Sequence, residues 1–202
     1  MVNNHRPILI LIAGPNGSGK TTITSQILHH SWLENCKYIN PDNIAQEVFG
    51  DWNSTESVIK AAQYASQLRE QYLKENQSMI FETVLSAPDK LDFIYRAKQA
   101  GYFIRLFFIS TNSPTINAAR VADRVFKGGH DVPIPKIISR YYKSIENCAR
   151  AISMVDRCYL YDNSIDGHSA TAVARFSDGK LIKKYTANIP VWAAGFIAPY
   201  SS

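Results

Sequence analysis

Residues 13–22 read AGPNGSGKTT and follow the apolar run PILILI. Gly14-Pro15-Asn16-Gly17-Ser18-Gly19-Lys20-Thr21 satisfies the pattern G-x-x-x-x-G-K-[ST]. Glycines at this spacing let backbone N–H groups converge on an anion, and a helix starting there adds the partial positive charge of its N-terminus. The loop from Gly14 to Thr22 therefore implies a cradle for a nucleoside triphosphate. In such a cradle Lys20 reaches the β- and γ-phosphates and the Thr21 hydroxyl ligates Mg2+.

Three acids stand where short apolar runs end, and ligands of open α/β sheets gather at that carboxyl edge. Asp42 follows CKYIN, Glu82 closes MIFE, and Asp162 closes CYLYD. Asp42 suits a general base that accepts the proton of an attacking hydroxyl, and it equally suits a cap for the helix NIAQEVF. Glu82 reads as the acid on the Mg2+ side of the cradle, as a holder of a substrate hydroxyl beside Thr83, or as a cap for local backbone. Asp162 reads either as an adenine-side contact or as a turn residue.

A third set is basic. Arg120, Arg124 and Lys127 fall at i, i+4 and i+7, which places them along one helix face. Beyond KGGHDVPIP, Arg140 opens the next helix, with Lys143 one turn on. Two arginine-bearing helices joined through Gly-Gly suggest a lid that delivers cations to a migrating phosphoryl group while excluding water. The competing reading is a solvated basic face. His130, in the break, reads as a substrate contact or a turn cap.

These side chains need a scaffold, and the periodicity supplies one. Ile8–Ala13 reads as a buried strand, followed by the glycine turn and a helix through about His30. Cys36–Asn40, Ser78–Ser86, the run YFIRLFFIS and CYLYDN supply four more strands. Helices are expected over Thr55–Asn76, from Pro88 to Gly101, over Thr115–Lys127 and over Lys136–Val155. The last of these carries the stripe Ile138, Tyr141, Ile145, Cys148, Ile152 and Val155. Alternating strands and helices call for a parallel sheet covered on both faces. Asp178-Gly179 between two strand-like runs signals a hairpin, and PVWAAGFIAP a flap packed on the body.

With 202 residues, 46% of them hydrophobic and 19% charged, the chain suits one globular domain. No apolar run approaches the ~20 residues that span a bilayer. The N-terminus reads as a strand, with no cleavage-site pattern of a signal peptide. Three scattered cysteines suggest neither a zinc site nor a disulfide framework, so the cytoplasm is expected. The net charge of +5 fits a polyphosphate ligand or a nucleic acid. The linear sequence shows no aromatic-interleaved basic stripe of the kind single strands prefer, which argues against nucleic acid.

AGPNGSGKTT, INPDNIAQE, IFETVLS, RVADRVFKGGHDVP, ISRYYKSIEN and YLYDNS occur in an order and spacing that resemble the zeta toxin family of P-loop kinases, over about residues 7–163. The GGHDVP form is similar to a short branch of that family described as predicted ATPases or kinases. The resemblance implies an α/β, three-layer P-loop NTPase fold; together with the residue patterns above, that is one kinase domain with a mostly parallel five-stranded sheet, a helical lid over about 113–150, and a C-terminal hairpin appended to the sheet with a tail, over about 168–202. It also implies ATP and Mg2+ as cofactors, with Lys20 and Thr21 on ATP–Mg2+. Asp42 would be base toward the acceptor hydroxyl, Glu82 would lie in the acceptor pocket, and Arg124 and Arg140 would meet the γ-phosphate. The best-understood relatives phosphorylate UDP-N-acetylglucosamine and are toxins held by an antitoxin. Those toxins follow the strand-three glutamate with Gly-Thr-x-Arg, whereas here Thr83-Val84-Leu85-Ser86 follows Glu82. A nucleoside or nucleic-acid kinase and an NTP-gated switch with slow hydrolysis are the alternative readings.

Overall fold

The structure is a computed structural model that describes residues 6–27, 33, 35–49, 54–129 and 131–200. Its centre is β1 (Ile8–Ala13), ILILIA, an apolar run that suits a strand buried on both faces. Leu9 and Leu11 enter the larger apolar cluster on one side of the sheet, while Ile10 and Ile12 enter a smaller one on the other.

Around it stand β2 (Lys37–Ile39), β3 (Met79–Thr83), β4 (Phe103–Ser110) and β5 (Arg157–Asp162), all parallel. The hairpin β6 (Thr171–Ser177) and β7 (Lys180–Lys184) continues the same sheet antiparallel. The order is β2-β3-β1-β4-β5-β6-β7. The five expected parallel strands and the appended hairpin make one seven-stranded sheet, because the backbone of β6 pairs directly with β5.

The helices are α1 (Lys20–Ile27), α2 (Pro41–Phe49), α3 (Thr55–Lys74), α4 (Asp89–Gln99), α5 (Pro114–Phe126), α6 (Ile134–Ile152) and α7 (Val191–Ile197). Several expectations shift. The third strand stops at Thr83 rather than Ser86, because Leu85 takes φ +57° and its N–H is accepted by the Thr83 hydroxyl in a tight turn. On α6 the buried row runs through Ile137, Tyr141, Ser144 and Cys148, and Ile138 is 40% exposed. The expected stripe was one residue out of phase there, since Ile137 and Ile138 are adjacent and equally apolar. The tail folds as α7 and inserts Trp192, Ala193 and Ile197 into the larger cluster.

Helices α5 and α6 pack on each other through Val121, Val132 and Ile137. From Tyr141 onward α6 is fastened to the sheet. The Tyr141 hydroxyl donates to the Thr111 carbonyl, Ser144 to that of Val84 and Asn147 to that of Leu85.

Candidate active site

The glycine loop runs from the end of β1 into α1, at the carboxyl edge of the sheet. Two side-chain amides hold its outer carbonyls. Asn117 of α5 donates to the Asn16 carbonyl at 2.5 Å, and Asn163, just beyond β5, donates to that of Ser18 at 2.9 Å. With those carbonyls fixed outward, the loop can turn N–H groups inward. The approach is close. A Cβ on Gly17, at φ +74°, would lie 2.5 Å from the Asn117 carbonyl oxygen. The Ser18 hydroxyl is buried without a hydrogen-bond partner among the described residues.

Lys20 folds back on the loop, its ammonium donating to the carbonyls of Gly14 and Pro15 at 2.9 Å each. Burial pulls its amine down to about 8; Glu82 and Asp42 oppose that shift, while Arg124 and Arg140 add to it. A lysine so placed gains from any anion that arrives.

Glu82, near the end of β3, is the hub of the opposite wall. One carboxylate oxygen accepts from Thr24 at 2.7 Å and from Tyr38 at 3.0 Å; the other accepts from Thr21 at 3.4 Å. Tyr38 in turn accepts from the Asn40 side-chain amide at 2.9 Å, and the Asn40 side-chain carbonyl accepts from the Asp42 backbone N–H at 2.8 Å. The cap of α2 is therefore Asn40. Asp42 sits inside the first turn with its own carboxylate not spent on capping, contrary to the capping reading.

Lys20, Thr21, Asp42, Glu82, Thr83, Arg120 and Arg124 all line one cavity of about 430 Å3. Arg120 also pairs with Asp166 and donates to the Asn163 carbonyl. Arg140 stands beside the cavity, 3.3 Å from the Asn16 side-chain oxygen. Thr83 spends its hydroxyl oxygen on the Leu85 N–H. Asp162 is held by Ser164 and by the Trp192 indole, as the turn reading expects. His130 lies outside the described residues. Sequence reading missed Thr24, Tyr38, Asn40, Asn117 and Asn163. Of these, only Asn40 before Pro41 carried a signal, that of a helix start.

A glycine loop between β1 and α1, with β3 beside β1 and α5 and α6 beyond β4, defines a P-loop protein with the fold of the kinases. The sequence model of the zeta toxin family matches residues 1–165, and the chain belongs to that family of P-loop kinases. An uncharacterized protein of Haemophilus influenzae is 30% identical over 138 residues, which cover 65% of this chain and 91% of that protein. A chain in the crystal structure of the AvrRxo1-ORF1:ORF2 complex superposes with TM-score 0.66 at 20% identity, over 90% of this chain. This chain spans 62% of that one. The same complex has been solved with ATP. A chain from the PezAT toxin–antitoxin system of Streptococcus pneumoniae gives TM-score 0.59 at 18% identity, over 83% of this chain and 72% of its own length. At such identities the likeness is one of fold.

Proposed function

We propose that the protein transfers the γ-phosphoryl group of ATP to a hydroxyl of a small molecule. The observation that carries this reading is the shared cavity, which sets the cradle lysine against an acid not spent on capping. A triphosphate suits the loop, where the Ser18 hydroxyl is buried without a partner among the described residues. The Thr21 hydroxyl and Glu82 carboxylate, 3.4 Å apart, are the hard oxygen donors that suit Mg2+. When bound, the ion supplies neutralisation of charge on the phosphate oxygens.

In this mechanism Lys20 leaves the Gly14 and Pro15 carbonyls for the β- and γ-phosphates. Asp42 accepts the acceptor's hydroxyl proton as that oxygen forms its bond to phosphorus and the bond to ADP breaks. Arg120, Arg124 and Arg140 hold the migrating group. The lid is the part of the α5–α6 pair ahead of Tyr141, since later residues are fastened to the sheet. The family points to UDP-N-acetylglucosamine as the first acceptor to try, to an antitoxin protein as partner, and to the cytoplasm as the place of action. No helix among the described residues is long and apolar enough to cross a membrane.

The test is Asp42→Asn, assayed with labelled ATP, Mg2+ and a small-metabolite extract. Transfer should fall by about 10²–10⁴-fold while ATP affinity stays within about twofold. Transfer at the native rate would remove Asp42 from the mechanism.

A further inference from the structure

On the sheet face that holds Ile10 and Ile12, the apolar cluster includes one α-helical side chain among the described residues, Ile23 of α1. Further along, over β4–β7, the strands present cations and rings instead. Arg105 and Phe107 of β4 lie beside Arg157 and Tyr159 of β5, in register. Tyr159 is paired across the ladder with Arg175 of β6, and Arg175 with Lys183 of β7. The rings form a row. Phe107 stacks on Tyr159 with centroids 4.9 Å apart and planes 9° apart, and Tyr161 follows at 6.5 Å from Phe107. The guanidinium groups of Arg105 and Arg157 lie over the Phe103 ring, and the Lys183 ammonium over Tyr185.

The charge on this face is of one sign. Strands β4, β6 and β7 contain no acid, and the single one in β5, Asp162, is held at its end by Ser164 and Trp192. Arg157, Arg175 and Lys183 have no ion pair among the described residues. Phe107 is buried against Tyr159, which leaves the half-buried Tyr159 and Tyr161 rings to meet a base, and Arg175 and Lys183 continue the Tyr159 row on strands about 4.8 Å apart to meet a phosphate chain.

We propose that this face of β4–β7 binds single-stranded nucleic acid, with bases on Tyr159 and Tyr161 and phosphates on Arg157, Arg175 and Lys183. The site is separate from the cleft. Asp42 follows β2, at the far end of the strand order, and the proposed binding requires no phosphoryl transfer to the bound strand.

Fluorescence anisotropy with a labelled twelve-nucleotide single-stranded RNA on the full chain tests it without any phosphoryl transfer, so it stands or falls apart from the kinase reading. Three phosphate contacts imply that affinity falls on the order of 20-fold between about 50 and about 200 mM salt. The double variant Arg175→Gln/Lys183→Gln should weaken binding and lower the logarithmic salt slope by about 1.4. Tyr161→Ser should weaken it about fivefold with the slope unchanged, the signature of a lost stacking contact. No binding at tens of micromolar RNA in low salt would overturn the proposal. So would duplex bound as tightly as the single strand, indifference to the double variant, or tighter binding to phosphatidylserine vesicles than to RNA.

Discussion

The two walls of the cleft are organised by different means. On the wall toward β4 and β5, side-chain amides grip the loop's own backbone: Asn117 holds the Asn16 carbonyl and Asn163 that of Ser18. On the wall toward β2 and β3, side chains grip each other, from Thr24 and Tyr38 on Glu82 through Asn40 to the first turn of α2. The first arrangement fixes a shape that receives phosphates. The second fixes where an acid stands. Damage to the first should therefore register in nucleotide binding, and damage to the second in turnover.

The sharpest way to break the first wall is Gly17→Ala. The new methyl would meet the Asn117 carbonyl oxygen at 2.5 Å and its Cα at 3.1 Å, on a residue already at φ +74°. Because the obstacle is backbone of a buried helix residue, α5 or the loop must move. ATP affinity should fall by at least about 100-fold in calorimetry, since positive φ alone costs a non-glycine residue about 1–2 kcal/mol before the clash is added. Affinity within a fewfold of native would mean that the contact between α5 and the loop is not what shapes the cradle.

A somewhat smaller effect belongs to Lys20, which both walls influence. Burial lowers its amine to about 8 from the ordinary 10.5, so the unfolded chain holds this proton more firmly. The lysine's contribution to stability thus rises with pH between about 8 and 10.5. Phosphates reverse the shift, because an adjacent anion favours the charged amine. ATP affinity should be nearly full below about pH 7 and fall about tenfold between pH 7 and 9, with about half a proton taken up per ATP bound at pH 8. Calorimetry in buffers of different ionisation enthalpy measures that uptake. Lys20→Met should flatten the profile, and an unflattened one would assign the titration elsewhere.

The contrast also explains what the sequence disclosed. Gly14–Thr21 is local in the chain, so its physics could be read directly, as could the apolar run of β1 and the Asp178-Gly179 hairpin. Asp42 and Glu82 were legible because each stands at the carboxyl end of a strand and topology brings strand ends together. The amide clamps were not. Asn117 lies 101 residues from Asn16, and Asn163 lies 145 from Ser18, and nothing in a helix start or a turn distinguishes them from any other asparagine. The basic–aromatic face was invisible for the same reason. Arg105, Arg157, Arg175 and Lys183 sit on four strands, and only the ladder register lines them up. The step from Ile137 to Ile138 on α6 failed differently, since periodicity cannot choose between two adjacent isoleucines.

The smallest effect, and the most selective one, is expected from Tyr38→Phe on the second wall. Burial, and then the neighbouring Glu82 carboxylate, push the Tyr38 phenol up, so it keeps its proton and donates it to Glu82. Its oxygen can then only accept from Asn40, which orients that amide with nitrogen toward Tyr38 and oxygen toward the Asp42 N–H. Removing the hydroxyl frees the amide to flip and loosens the turn that carries Asp42. An unsatisfied partner in a half-buried network costs about 1 kcal/mol, or about fivefold, and that loss should fall on kcat with ATP affinity unchanged. Asn40→Asp, which keeps the cap's acceptor, should retain more turnover than Asn40→Ala. Were Tyr38→Phe to weaken ATP binding and leave kcat alone, the second wall would be shaping the cradle too, and the division between the walls would fail.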